Sequence, residues 1–179
     1  MNTKCLFSNV KDGEVFEVAG IEFIKFPDEN GMTPVVAKNI QFVSDFGEDN
    51  NFAKSTVLRK MQEEWLSKVA DAIGEENLCQ IHTDLTTLDG LKPYPELESQ
   101  VSLPTLEFYR KHVEIFDRYN PDNWWWLATP ESAQPHDAPN WILCVAPSGR
   151  IFYGVRYCID FGVRPFLALK SSIFESSEE

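Results

Sequence analysis

This 179-residue chain lacks the common signatures of metal and nucleotide chemistry. Its four cysteines, Cys5, Cys79, Cys144 and Cys158, form no C-x-x-C pair, which argues against a zinc ribbon or a thioredoxin-type site. Its three histidines, His82, His112 and His136, make no H-E-x-x-H and no pair at helical ligand spacing. G-x-S-x-G, G-x-x-x-x-G-K-S/T and G-x-G-x-x-G are all missing. No catalytic residue, cofactor or metal ligand is therefore expected. No run approaches the ~18 apolar residues of a membrane span. The start, Met1 to Phe7, lacks the apolar stretch of a signal peptide. The expectation is a cytoplasmic protein with reduced thiols and no membrane partner.

Basic residues are also scarce. Sixteen Lys and Arg stand against 28 Asp and Glu, a net charge of -12. Such a surface repels phosphates, so direct nucleic-acid binding is not expected. The acidity is uneven: residues 1–100 carry 9 basic and 18 acidic side chains, residues 101–179 carry 7 and 10. One reading is a solvated surface that keeps the chain soluble. The other is an acidic face that meets a basic protein partner, with Asp45, Glu48 and Asp49 as its candidate residues. These three acids lack the spacing and glycine of an EF-hand loop. The sequence leaves oligomeric state open.

What is present is apolar and aromatic. The chain is 43% hydrophobic and 13% aromatic, with 13 Phe and 5 Trp, which excludes a disordered acidic tail. A single domain of this size buries roughly 70% of its unfolded surface and needs no covalent staple. Alternation over 14–18 and 21–26, with Ala19-Gly20 between, predicts a β-hairpin with Phe16 and Val18 on one face of the first strand, and Ile21, Phe23 and Lys25 on one face of the second. Leu58, Met61, Trp65, Val69 and Ile73 form one stripe, predicting a helix over 55–73 from an N-cap at Ser55 to a stop at Gly74. Residues 78–100 read as a surface connection. Leu106, Tyr109, Val113 and Phe116 predict a second helix over 104–117. Strand-like runs follow, with Pro147-Ser148-Gly149 as a hairpin turn. The fold class is α+β: one domain over 1–172, with a β-rich acidic part at 1–50, a Trp-rich core at 101–172, and a frayed acidic tail at 173–179.

Three consecutive tryptophans on a strand must alternate faces, so Trp124 and Trp126 share one and Trp125 takes the other. Core packing explains one face; the other is either covered as well or partly exposed, and Trp125 is the candidate contact residue of the exposed reading. Pro121-Asp122-Asn123-Trp124 reads as a helix-ending turn, or as a carboxylate–amide–Trp run of the kind that binds calcium and sugar. Asp122 and Asn123 are thus candidate ligands, although one acid and one amide cannot fill a calcium shell. His136-Asp137, in the Pro130–Pro139 loop, is a candidate metal or acid–base pair. Arg164 lies in an apolar stretch between Gly162 and Pro165. It is expected to clamp Asp160, Asp122 or a backbone carbonyl.

Asn123-Trp124-Trp125-Trp126-Leu127-Ala128-Thr129-Pro130, Trp141 to Val145, Ser148-Gly149-Arg150-Ile151 and Gly162-Val163-Arg164-Pro165-Phe166-Leu167-Ala168-Leu169 follow in order. This series resembles a family of domains of unknown function from Firmicutes and their phages. That family's core reads "WWLRSP", then a strand, then "G-x-V/I", and ends in "GVRPAL". Ser55 to Arg59 is similar to its "StLR" helix start, and Leu103 to Glu107 sits where it has "LS-x-x-E". The likeness spans roughly residues 12 to 172 and departs at Leu127-Ala128-Thr129-Pro130, where Arg-Ser is usual. It implies no reaction and transfers no catalytic residue. A looser likeness, to C-type-lectin-like and formylglycine-generating-type domains, implies only a fold. Together these readings favour a non-catalytic interaction module of bacterial or phage origin. Its sharper form is an anti-CRISPR-like inhibitor mimicking nucleic acid. A lectin-like binder and an enzyme of unrecognised type are the alternatives.

Overall fold

The structure is a computed structural model describing residues 7–136 and 139–175. Strands β1 (Val15–Val18) and β2 (Ile21–Lys25) form the expected hairpin. Ala19 and Gly20 both take positive φ, 51° and 75°, the conformation whose twist suits a two-residue turn. β3 (Met32–Ala37) pairs with β2, and β11 (Phe166–Lys170) pairs with β3, giving a sheet of order β1-β2-β3-β11. A second sheet runs β4 (Phe42–Val43), β10 (Gly162–Val163), β7 (Trp125–Pro130), β8 (Trp141–Val145) and β9 (Ile151–Val155). The fold is α+β, as the pattern of separate strands and helices requires.

The chain passes from one sheet to the other at Arg164-Pro165, between β10 and β11. Gly162 is needed there, because a Cβ would lie 2.4 Å from Ile40. The Arg164 Nε donates to the Ala37 carbonyl at the end of β3, at 3.0 Å. Its guanidinium sits 4.6 Å from the Trp125 ring centre and 5.8 Å from that of Phe116. Of the three partners expected for Arg164, the carbonyl is the one used. Its other two nitrogens have no hydrogen-bond partner, and burial pushes its pKa down. The aromatic faces supply the compensation that a carboxylate would otherwise give.

The tryptophans alternate as expected. Trp126 lies in one core, beside Phe46 and Phe161, and donates to the Ser44 carbonyl. Trp124 stacks on Phe161 on that same face. Trp125 lies in the other core with Tyr109, Phe116 and Leu143. Both faces of β7 are covered, so the whole strand is buried.

The first helical run begins at α1 (Thr56–Lys60), capped by Ser55, whose Oγ accepts from the Leu58 N–H. It continues through a π-turn, Met61–Trp65, into α2 (Leu66–Ile73), and stops at Gly74 with φ 88°. From Leu58 to Ile73 the apolar stripe covers 15 residues in four steps, more than 3.6 per step. The wider π-turn takes up that excess and keeps Met61, Trp65 and Val69 buried. Trp65 donates to the Gln41 side chain and meets Phe23 edge-on.

Three expectations need correction. The second helix is two: α3 (Leu106–Lys111) and α4 (Val113–Arg118) meet at His112, whose φ of -121° breaks the spiral. The break shifts the register, so His112 is buried against Phe26 and Phe108 while Val113 is exposed. Residues 78–100 contain a two-stranded ladder, β5 (Ile81–Thr83) with β6 (Leu97–Ser99). The boundary at 172 falls too early. Ile173 and Phe174 are buried, and Phe174 packs on Phe7 and Phe16.

Candidate functional site

The β5–β6 ladder and the start of α3 face each other across a hollow of about 280 Å³. Its floor mixes the apolar side chains of Ile81, Leu103, Phe108 and Phe166 with the buried hydroxyls of Thr83 and Ser102, which bond each other at 2.8 Å. Its rim carries the carboxylates of Glu29, Asp84 and Glu107, with Lys111 as counter-charge. Thr105 caps α3 by accepting from the Phe108 N–H at 3.2 Å, which fixes Glu107 in the exposed first turn. That position suits a carboxylate, because the helix start carries partial positive charge. Lys111 donates to Glu29 at 2.7 Å, and this bond raises the lysine's pKa.

His82 stands on the β5 side between two carboxylates. Its Nδ1 is 2.6 Å from Glu98, its cross-strand partner, and its Nε2 is 2.8 Å from Glu96. The bond to Glu98, then the charge of Glu96, raise its pKa. Asp84 accepts from the Thr86 hydroxyl and N–H, which lower its pKa. His112 lies behind Phe108 with its Nε2 unpartnered, 4.0 Å from Glu29. Burial and then Lys111 push its pKa down. A second hollow, about 410 Å³, shares Asp84, Thr105 and Glu107 and adds Lys92 and Arg110. The acidic sign therefore belongs to the first hollow, and a cation with an apolar stem fits it chemically.

The residues expected from sequence do not converge. Glu48 and Asp49 line a separate groove of about 440 Å³, whose wall also holds Lys54 and Arg59. Asp49 accepts from the Asn51 N–H at 2.8 Å, and Asp45 is half-buried. Asp122 is exposed at the end of α4. The Asn123 amide is committed to local structure, donating to the Asp160 carbonyl and accepting from the Trp124 N–H. Trp125, the expected contact residue, is fully buried and donates to Asn120, so it offers no surface. The covered second face of β7 is the reason. Among the described residues no group of three or more His, Cys, Asp or Glu could hold a metal ion.

His136 is exposed, with Nδ1 2.7 Å from Asp89. Asp89 also accepts from Ser132 at 2.6 Å and from Thr87, and these hydroxyls, then His136, lower its pKa strongly. The serine thus bonds the carboxylate, not the imidazole. A nucleophilic triad needs the histidine in the middle, so this cluster is a loop tie rather than an acyl-transfer site. Asp137 lies outside the described residues.

Sequence reading missed His82, Asp84, Glu98, Glu107 and Lys111. The usable signal was the short alternation in Ile81-His82-Thr83 and Leu97-Glu98-Ser99. No family model, curated protein or solved structure matches the chain.

Proposed function

We propose that the protein is a non-catalytic interaction module whose acidic hollow receives a basic side chain of a partner protein. One observation carries this reading: the Glu29, Asp84 and Glu107 carboxylates share a hollow with the apolar side chains of Ile81, Leu103, Phe108 and Phe166. Lysine and arginine bury their stems on apolar surface and keep the charge at the edge, and such a hollow accommodates both parts. The net charge of -12 draws a basic partner in by long-range attraction. A nucleic-acid-handling enzyme is the partner class whose groove has the matching sign. The motif residues behind the resemblance to the Firmicutes and phage domains, Trp124 to Trp126 and Gly162 to Pro165, are packed into the fold. The binding proposal rests on other residues.

Titration calorimetry with a short arginine-rich peptide tests it. Binding is expected to weaken steeply between low salt and about 0.5 M salt, and nucleic acid is expected to compete for the peptide. Glu107→Lys should weaken the peptide about tenfold while leaving the circular dichroism spectrum unchanged. Binding indifferent to both salt and Glu107→Lys would refute the proposal.

A further inference from the structure

β9 ends the five-stranded sheet, and its outer edge has the features of a strand-docking site. The pairing pattern shows which backbone groups point outward. The Arg156 N–H donates to the Asn140 carbonyl, and the Ala146 N–H to the Arg150 carbonyl. Both pairs follow the β8–β9 register, in which Trp141 faces Val155. In an antiparallel ladder bonded and non-bonded pairs alternate. Phe152 and Gly154 therefore bond β8, and Ile151, Tyr153 and Val155 turn their backbone groups away from it. The Cys158 N–H takes the Val155 carbonyl at 3.0 Å. The remaining outward groups have no backbone partner among the described residues.

The usual protections are missing. β9, Ile-Phe-Tyr-Gly-Val, contains no proline and no charge, and its pairing with β8 shows no bulge. Instead the region is apolar. Of the seven exposed large hydrophobic side chains among the described residues, Phe152, Tyr153, Tyr157 and Ile159 fall within eight positions. Phe152 meets Trp124 on one face and Tyr153 meets Trp141 on the other. An added strand would therefore find aromatic neighbours on both faces.

Charge selects the occupant. Arg150 and Arg156 stand at the two ends of β9, each over a neighbouring ring, Phe152 and Tyr157; Arg156 is half-buried and also donates to the Asn140 side chain and the Gly47 carbonyl, neutral acceptors that leave its charge uncompensated. No carboxylate lies within ion-pair distance of either among the described residues. Antiparallel self-pairing centred on Tyr153 would set Arg150 against Arg156 of a second copy, so like charges oppose a homodimer here. The geometry points to β9 as the docking edge for an extended partner segment that is apolar in the middle and acidic at both ends. This mode gains affinity from main-chain bonds and specificity from the flanking side chains. The site is separate from the acidic hollow and has the opposite sign, so either reading stands if the other fails.

The test is fluorescence anisotropy with a labelled peptide matching the span from Arg150 to Arg156: alternating valine and threonine with an aspartate at each end. A lysine-ended version is the control. The aspartate peptide is expected to bind at least about tenfold more tightly than the lysine one. Tyr153→Pro removes an outward N–H without touching the bonds to β8, so its fold should persist while binding is lost. Tyr153→Phe keeps that N–H and should bind like the parent. Arg150→Glu should erase the preference between the two peptides, and Arg150→Glu with Arg156→Glu should reverse it. Equal binding of both peptides overturns the inference. So does undiminished binding by a folded Tyr153→Pro protein, or a concentration-dependent dimer that Tyr153→Pro abolishes.

Discussion

The acidic hollow and the β9 edge differ in what each offers a partner. The hollow offers side-chain charge beside apolar side chains, and its backbone takes part in the β5–β6 ladder, the Glu29–Met32 and Ser102–Phe166 bridges and the α3 cap. The edge offers open backbone, flanked by cations and lined with rings. Charge acts at both surfaces, with opposite sign; strand geometry acts only at the β9 edge. The difference teaches that net charge is a poor guide to where a chain makes contacts. A protein of charge -12 keeps two of its exposed aromatic side chains, Phe152 and Tyr153, between two arginines.

Arg164 is the joint between these regions, so it gives the largest expected effect. β11 starts two residues after it with Phe166, part of the hollow's floor, and β10 before it pairs with β7. Arg164→Ala removes the bond to Ala37 and the stacking on Trp125, and leaves a cavity between two sheets. A loss of about 3 kcal/mol or more is expected by denaturant titration, with both peptide affinities falling together. Arg164→Met should recover much of the stability, since an apolar chain of similar volume needs no partner there. If Arg164→Ala weakened only one surface, the joint would be misplaced.

Gly154→Val separates the two regions. A Cβ at Gly154 would come within 2.5 Å of Phe161 and 3.0 Å of Trp126. Phe161 also stacks on Trp124, so the whole aromatic layer beside β9 must shift. Overpacking of this kind costs roughly 1–3 kcal/mol. The aspartate peptide should bind more weakly, and the arginine-rich peptide should bind as before. Parallel losses at both sites would show that they are one cooperative surface.

Periodic features were legible in the sequence, and features that depend on distant parts meeting were not. The Ala19-Gly20 hairpin, the Ser55 cap, the Gly74 stop and the alternation of Trp124 to Trp126 all follow from local geometry. The break at His112 left no local mark: there is no proline or glycine, and the spacing from Tyr109 to Phe116 suits an unbroken helix. Packing against Phe26, far away in sequence, favours the shifted register. The hollow was hidden for the same reason. Glu29, His82, Glu107 and Phe166 share a wall only after the β-sheet and α3 come together. Trp125 shows the reverse error. Alternation correctly gave it a second face, but burial of that face depends on α3 and α4, through Tyr109 and Phe116.

The smallest expected effect comes from the two histidines at the hollow, which respond to pH in opposite senses. His82 has its folded-state pKa raised above 6.5 by Glu98 and Glu96. Its contribution to stability is fully present below pH 6.5 and is lost as pH rises through the folded value. His112 has its folded-state pKa lowered below 6.5 by burial. The folded protein is then undisturbed above pH 6.5 and loses stability as pH falls from there toward the folded value, because the unfolded chain takes up the proton first. The two losses lie on opposite sides of pH 6.5, so from these two groups the parent's melting temperature should pass through a maximum near pH 6.5. Replacing one histidine removes one flank of that maximum and leaves the other. His82→Gln should melt progressively lower as pH falls below 6.5, and His112→Phe should melt progressively lower as pH rises above it. The basic-side-chain reading adds a further constraint, because protonated His82 stands beside the hollow and repels an incoming cation. Arginine-peptide affinity should therefore rise with pH through the His82 titration, and His82→Gln should abolish that rise. A pH-independent affinity in the parent would place His82 outside the working part of the hollow.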